Sequence, residues 1–442
     1  MSNQILIVKE KLNASINQIC DASRQFVKNP SRDYTRVRSL TMRDVLSLTL
    51  CFEGATLTRE MLRFFDFHRN TPSSSAFIQQ RSKLNELAFP SLFHSFVNKT
   101  DMRRRYKGYR LLAADGSDIQ IPLNPHDDST YFPSVNGKAP YSMLHLDAVY
   151  DLLQRTYVDA SVCGRRNFNE KDALCKMIEH SSITDALVIA DRGYECYNLM
   201  AHIQEMGWKF LIRIKDLHST GIASGLPLPT SLEFDEFFPL HLTKQRTAET
   251  KELLKDATSY KLLYANASFD FLPTNTRKGD PLALYYLPFR VVKFWTSDDS
   301  YETVVTNLDA DEFPPQELKR LYAMRWGIET SFRALKYTVG LLHFHAKKVE
   351  YIIQELFARL IMYNFSELIT SHVLIQKCNR KYPFKANFTV AVQTCRQFFL
   401  GNVSPPDIEA IISKNLSVIR SGRSSPRSMR DRRLISFTYR IA

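Results

Sequence analysis

Cysteine is scarce and unpatterned in this chain. Seven thiols, at Cys20, Cys51, Cys163, Cys175, Cys196, Cys378 and Cys395, are scattered over 442 residues, and none forms a CxxC pair. An odd, dispersed set argues against a complete disulfide framework and fits a reducing cytosol. Glycine and proline are also few, 14 and 19, which excludes a collagen-like or low-complexity chain. No stretch approaches the ~20 apolar residues of a membrane span. The segment Met1 to Ile16 holds one short apolar run, Ile5 to Val8, followed by charges, which is not the pattern of a signal peptide. Three nucleotide and metal motifs are missing as well: a dinucleotide-type GxGxxG, a P-loop and HExxH. A metabolic enzyme of those classes is therefore the least favoured expectation.

What remains is ordinary globular composition, 44% hydrophobic and 24% charged, with length for two to four domains at ~100–200 residues each. The net charge of +13 is unevenly placed. Met1 to Arg110 carries 19 basic and 9 acidic residues, and Lys414 to Ala442 carries 8 basic residues against Asp431 alone. The centre is left slightly acidic. Basic ends around an acidic middle suit a protein that grips a polyanion and keeps metal-binding carboxylates between its grips. Solvated surfaces and a frayed terminus give the same pattern.

Residues 1 to about 105 read as helical. Thr41 is placed to cap a helix containing Val45, Leu46, Leu48 and Leu50. Ser73-Ser74-Ser75 precedes another, with Phe77, Ile78, Leu84 and Leu87 expected inward and Gln79, Gln80, Arg81 and Lys83 outward. Pro90 is expected to interrupt it before a last helix with Leu92, Phe93, Phe96 and Val97. Strand signals start near Tyr109 and include Leu111–Ala114, Met143–Tyr150 and Thr156–Val162, the last two linked as a hairpin. Asn169–His180 reads as a helix, and Ala186–Ala190 as a strand buried on both faces. A helix around Cys196–Met206 and a strand at Lys209–Ile214 follow. Prolines punctuate residues 216–300, with β-like stretches at Tyr260–Ala265, Leu282–Leu287 and Phe289–Phe294. Glu302–Asn307 returns as a strand, Pro314-Pro315 opens a long helix, and the chain stays helical to about residue 400. Strands in an antiparallel set, then alternating with helices, imply a mixed sheet in an α/β fold. The expected divisions are 1–108 (helical, DNA-binding), 109–215 (core, first part), 216–300 (β-rich insertion), 301–345 (core, second part) and 346–442 (helical region and basic tail).

Leu318 to Val339, taken as one α-helix at about 100° per residue, aligns four polar side chains. With Tyr322 as origin, Arg325, Glu329 and Lys336 fall within about 60° of it, while Leu321, Ile328, Phe332, Leu335 and Val339 cluster near −100°. The polar stripe thus borders the buried stripe. A phosphate backbone with a metal ion matches it: Glu329 for the metal, Arg325 and Lys336 for phosphate oxygens, Tyr322 for a hydrogen bond. Snorkelling side chains and an Arg325–Glu329 surface pair match it too. Two further acids, Asp115 and Asp191, each end an apolar run and are closely followed by glycine. Carboxylates at strand ends of an α/β sheet point into a crevice, although Asp-Gly pairs also simply make turns. Two such aspartates and a helical glutamate suit a pair of Mg²⁺ ions ~3.5–4 Å apart, the arrangement of phosphodiester cleavage. Asp118, Asp147 and Glu195 compete, with capping, surface or ligand-orienting roles expected for them.

The spacing Tyr322-x2-Arg325-x3-Glu329-x6-Lys336 resembles the Y-R-E-K signature of the IS-four family of bacterial insertion-sequence transposases. LLAADGSDIQIP around Asp115, ALVIADRGY around Asp191, WKFLIRIK from Trp208 and ETVVTNLD before LYAMRWGIETSFRALK resemble it in order and spacing. SSSAFIQQRSKL does so less specifically. The likeness runs from about Asp115 to Lys336. It implies an RNase H-like, retroviral-integrase-like core with a D-D-E triad of metal ligands, Asp115, Asp191 and Glu329, holding two Mg²⁺ (or Mn²⁺) ions. It implies that Tyr322, Arg325 and Lys336 contact transposon-end DNA, with Trp295 the candidate to stack on a flipped base. It further implies a homodimer on paired ends, target DNA as a second partner, no membrane partner, cut-and-paste transposition through a hairpin, and a place in the bacterial cytoplasm at the nucleoid. Two alternatives stay open at this point: a silent end-binding regulator or domesticated relative, and an RNase H-like nuclease or resolvase without strand transfer.

Overall fold

The computed structural model describes residues 2–419 except 37, 136, 138, 216–220, 265, 275–279, 298–299 and 375–382. Most of the basic tail therefore lies outside the described residues.

Five helices come first: α1 (Ser2–Asp21), α2 (Met42–Cys51), α3 (Leu57–Phe64), α4 (Ser74–Arg81) and α5 (Ala88–Thr100). Thr41 caps α2 as expected, its side chain accepting from the Asp44 N–H while Asp44 reaches back to the Thr41 N–H. Pro90 does not interrupt a helix. It lies in the first turn of α5, where its missing N–H has no intrahelical partner to lose. The face assigned to α4 also needs correction. Phe77 and Leu84 are buried, but Ile78 and Leu87 are exposed, and Arg81 is buried. The helix stops at Arg81, so its periodicity does not extend to Leu87.

The sheet follows. Strands β1 (Arg110–Ile121), β2 (Tyr131–Phe132), β3 (Tyr141–Asp151) and β4 (Thr156–Gly164) precede helix α6 (Glu170–Glu179), β5 (Ala186–Ala190), α7 (Tyr197–Glu205) and β6 (Lys209–Arg213). β1 and β3 pair antiparallel, as do β3 and β4. β5 lies parallel to β1 and β6 parallel to β5, each reached through a helical crossover. An antiparallel meander continued by two parallel strands is the RNase H-like mixed sheet. All five β5 residues are buried, as its uninterrupted apolar run requires.

Residues 234–297 extend this same sheet. β7 (Phe234–Thr243), which carries no clear sequence signal, α8 (Ala248–Leu253), β8 (Tyr260–Leu262) and β9 (Tyr285–Ser297) lead to β10 (Ser300–Thr306). β10 pairs with β6 on one side and β9 on the other. The two β-like stretches around Pro288 are one strand. Pro288 stands opposite Pro239 of β7, beyond the end of the β10 pairing, so neither ring removes a bond from a fully paired ladder.

The rest is mainly helical: α9 (Pro315–Met324), α10 (Trp326–Ala334), α11 (Val349–His372), α12 (Phe388–Leu400) and α13 (Pro405–Lys414), with a small β11 (Phe384–Ala386) and β12 (Leu416–Val418) ladder. The expected single helix over Leu318–Val339 is in three pieces. α9 ends at Arg325, where the N–H bonds Tyr322 O three residues back rather than four. α10 then runs into one π turn, Leu335–Val339, closed by Gly340 in a left-handed conformation (φ 98°). α10 packs on β1, and the long buried α11 packs on β4 and on the N-terminal helices α1, α2 and α5.

Candidate active site

Asp115 and Asp191 are brought side by side by strand register. Ala114 of β1 pairs with Ala190 of β5, and each aspartate is the next residue. Asp115 is not at the end of its strand: β1 continues to Ile121 because β3 keeps pairing with it after β5 has stopped. The carboxylate therefore sits where one neighbouring strand has ended and the sheet opens. Asp191 caps a short 3₁₀ turn, Arg192–Tyr194, and its Oδ1 accepts from the Gly193 N–H at 2.7 Å. The turn-forming role and the crevice position coincide in one residue.

Glu329 comes from α10. Burial pushes the Asp115 carboxyl up to about 7, with Asp191 and Glu329 adding to the rise and Arg325 and the Gly116 N–H opposing it. Asp115 therefore senses both other acids as near charges. The three are not drawn as tight as a closed ligand set. Among the described residues, the group of metal-ligand side chains whose atoms all lie within 4.8 Å is a different one, His145, Asp147 and Glu170. Arg325 Nη2 holds Glu329 Oε1 at 2.6 Å, so the pair seen as a bland alternative in the sequence does form, but half-buried beside Asp115 rather than on the surface.

The remaining stripe residues sit around this group. The Tyr322 ring is buried under the Arg325 guanidinium, 5.7 Å from it. Lys336, in the π turn, donates to the Asp118 carbonyl at 3.0 Å, tying that turn to β1 just beyond Asp115. Trp295 is 47% exposed on β9, with the Lys319 ammonium 4.9 Å over its ring. It is a surface indole, not a core one.

Of the competing acids, Glu195 is a loop anchor: its two oxygens accept from the Lys215 N–H at 2.8 Å and the Ile222 N–H at 2.5 Å. Asp118 faces His145 Nδ1 at 2.7 Å and Arg165 at 2.5 Å. Asp147 is buried beneath them. Sequence reasoning passed over His145 and Glu170. The available signal was His-x-Asp on a strand, which puts two ligand-type residues on one face, together with Glu170 opening an Asn169-capped helix.

Carboxylate oxygens at the mouth of the sheet are the donor set of a hard divalent cation, and Asp191 and Glu329 both act on the buried Asp115 carboxyl as near charges. Asp115, Asp191 and Glu329 thus fit such an ion.

Residues 106–365 match the family described as Transposase DDE domain, and the chain belongs to that family. Transposase InsG for insertion sequence element IS4, from Escherichia coli strain K12, is 25% identical over 304 residues, 66% of this chain and 59% of that protein. The transposase for insertion sequence element IS1151 of Clostridium perfringens is 22% identical over 324 residues, 67% of this chain and 66% of that protein. The chain thus spans about three fifths to two thirds of the length of these curated relatives. Among solved structures, a cryo-EM structure of the piggyBac transposase synaptic complex with hairpin DNA aligns over 90% of this chain and 80% of its own, at 10% identity and a TM-score of 0.44.

Proposed function

We propose that this protein is a DNA transposase that binds the ends of its element and catalyses divalent-metal-dependent strand cleavage and strand transfer. The observation that carries this reading is the register that sets Asp115 beside Asp191 at the mouth of the sheet, under the helix bearing Glu329. Asp115, Asp191 and Glu329 would hold the metal, two Mg²⁺ or Mn²⁺ ions in this reading. Such ions supply activation of water and stabilisation of the leaving oxygen when bound. The chain's own residues do the positioning. Arg325 keeps Glu329 turned toward Asp115, and Lys336 pins the π turn against β1. Arg325, Lys336 and Tyr322 border the path of the end DNA, and the exposed Trp295 offers a stacking face for an unpaired base, worth ~1–3 kcal/mol in comparable single-strand sites. Water attacks the phosphodiester at the element's end. The freed 3′-OH then attacks the opposite strand, closing a hairpin and releasing the flanking DNA; a second water opens the hairpin, and the regenerated 3′-OH attacks the target DNA. Two copies act on paired ends, in the bacterial cytoplasm on nucleoid DNA.

The test is a nicking and joining assay with duplexes built from the DNA flanking the gene. Mg²⁺-dependent nicks at the boundary and joined products are expected. Binding without nicking in Mg²⁺ or Mn²⁺ would instead identify an end-binding regulator, and nicking without joining a nuclease.

The basic tail gives a separate expectation. Deleting Lys414 to Ala442, which carries eight basic residues, should flatten the salt dependence of DNA binding by up to ~0.9 in log–log slope for each phosphate the tail neutralises. A salt titration with unchanged slope removes the tail from the interface.

A further inference from the structure

A second group of chemistry-bearing side chains lies across β1 from Asp115. Register sets Gly116 opposite Asp147 and Asp118 opposite His145, so these four share one face of the sheet. Asp115, one residue out of step, points to the other. Helix α6 lays Glu170 over the shared face. His145 Nε2 stands 3.3 Å from Asp147 Oδ1 and 3.1 Å from Glu170 Oε1. Ligand atoms held ~2.0–2.2 Å from one ion stand about 3.0–3.5 Å apart, depending on coordination number, which is the spacing found here. A Cβ at position 116 would lie 2.5 Å from His145 Nε2 and 2.7 Å from Glu170 Oε1, so glycine at this point keeps the space between the ligands open.

Asp147 is 1% exposed, and neither of its oxygens meets a donor in hydrogen-bond geometry; the same holds for His145 Nε2. A sealed carboxyl group without a hydrogen-bond partner is strongly unfavourable. The other face of the imidazole is already engaged. Asp118, paired with Arg165, accepts from His145 Nδ1, which aims the Nε2 edge of the ring at Asp147 and Glu170. A carboxylate behind a histidine is the usual way of orienting a metal-binding imidazole. With Asp118 paired to Arg165, the Nε2 edge of the ring faces the carboxylates of Asp147 and Glu170, a nitrogen and oxygen donor set that suits a divalent cation.

We propose that His145, Asp147 and Glu170 form a binding site for a divalent transition-metal cation of the Mn²⁺ or Zn²⁺ kind. The imidazole nitrogen sets the preference, since nitrogen ligands favour these ions over Mg²⁺. Glu170 links the site to the crevice. Its Oε2 is turned toward Gly193, 3.6 Å from where a Cβ there would stand, in the turn that Asp191 caps. An ion on this face thereby fixes a side chain that reaches toward the turn Asp191 caps.

The test uses the full chain carrying Asp115→Asn and Glu329→Gln, stripped with chelator and titrated with Co²⁺ as the probe. One equivalent is expected to bind with a visible d–d absorption band. Adding Glu170→Gln, at a half-buried side chain that can change without unfolding the protein, should abolish the band and weaken binding on the order of 10²-fold. His145→Gln should do the same, with circular dichroism confirming the fold. Absence of the band, or equal Co²⁺ affinity with and without Glu170→Gln, overturns the proposal and assigns the cluster to an imidazolium balanced by carboxylates. The background is already unable to cut in the reading above, so the result stands whether or not the wild-type chain cleaves DNA.

Discussion

Asp115→Asn is expected to lower Mg²⁺-dependent nicking by on the order of 10³-fold or more, with binding to end DNA retained, and to make the metal-free protein more stable. Both effects come from one cause. Burial holds the Asp115 carboxyl up near 7, with Asp191 and Glu329 adding to the rise against Arg325 and the Gly116 N–H. An unfolded aspartate titrates at ~3.9. Between those values the folded chain keeps a proton that the unfolded chain has released, so the metal-free stability contributed here is complete below pH ~4 and is lost as pH rises through about 7. Asparagine carries no charge at any of these pH values. The difference in melting temperature between variant and wild type in EDTA should therefore be small at pH 4 and favour the variant at pH 8. Mg²⁺ at pH 8 should raise the melting temperature of the wild type and not of the variant. Full cleavage by Asp115→Asn sinks the catalytic assignment. A variant equally stable at both pH values sinks the electrostatic account of why this carboxylate is where it is.

The legible parts of this molecule were those written in local pattern. The buried run Ala186–Ala190, the hairpin linking β3 and β4, the Thr41 cap and Asn169–His180 each announce themselves within a few residues, because strand burial, turn chemistry and capping are short-range. The side-by-side placement of Asp115 and Asp191 was half legible. The sequence marks two aspartates that each close an apolar run, but their adjacency is a register between β1 and β5, 76 residues apart in the chain, and register is tertiary. The break at Arg325 was not legible. Tyr322 to Lys336 keeps helical spacing throughout, and only packing of α10 on β1 and the Arg325–Glu329 pairing show where α9 stops. Glu170 was hidden for a similar reason. Its role is defined by His145 and Asp147 on another element, and a glutamate in the first turn of a helix already has a sufficient local explanation.

Arg81 shows the same limit in the form of a buried charge, and its removal is expected to be among the most damaging changes outside the site. The residue reads as solvent-facing on a short polar helix. In the fold it is sealed between α4 and α11, with Nε donating to Gln354 at 2.9 Å, Nη1 to Glu355 at 2.8 Å and Nη2 to the Tyr351 carbonyl. Glu355, fully buried, also accepts from the His345 N–H at 3.0 Å. Burial opposes its ionisation, but Arg81 and His345 outweigh that and bring its carboxyl down to about 2. A desolvated pair of this kind adds little over an apolar pair of equal volume, yet losing one partner leaves the other charge buried and bare. Arg81→Ala or Glu355→Ala should each cost ~3–5 kcal/mol, read as a large fall in the denaturation midpoint. Arg81→Met with Glu355→Leu should cost far less than the two single changes together, because it removes both charges at once. Shifts below ~0.5 kcal/mol in the single variants would show the pair to be solvated in solution. Since α11 also packs on β4, loosening this joint should free the basic N-terminal helices from the sheet that carries Asp115. End binding should then weaken in Arg81→Ala at temperatures where the sheet, followed by the fluorescence of the buried Trp208, is still folded.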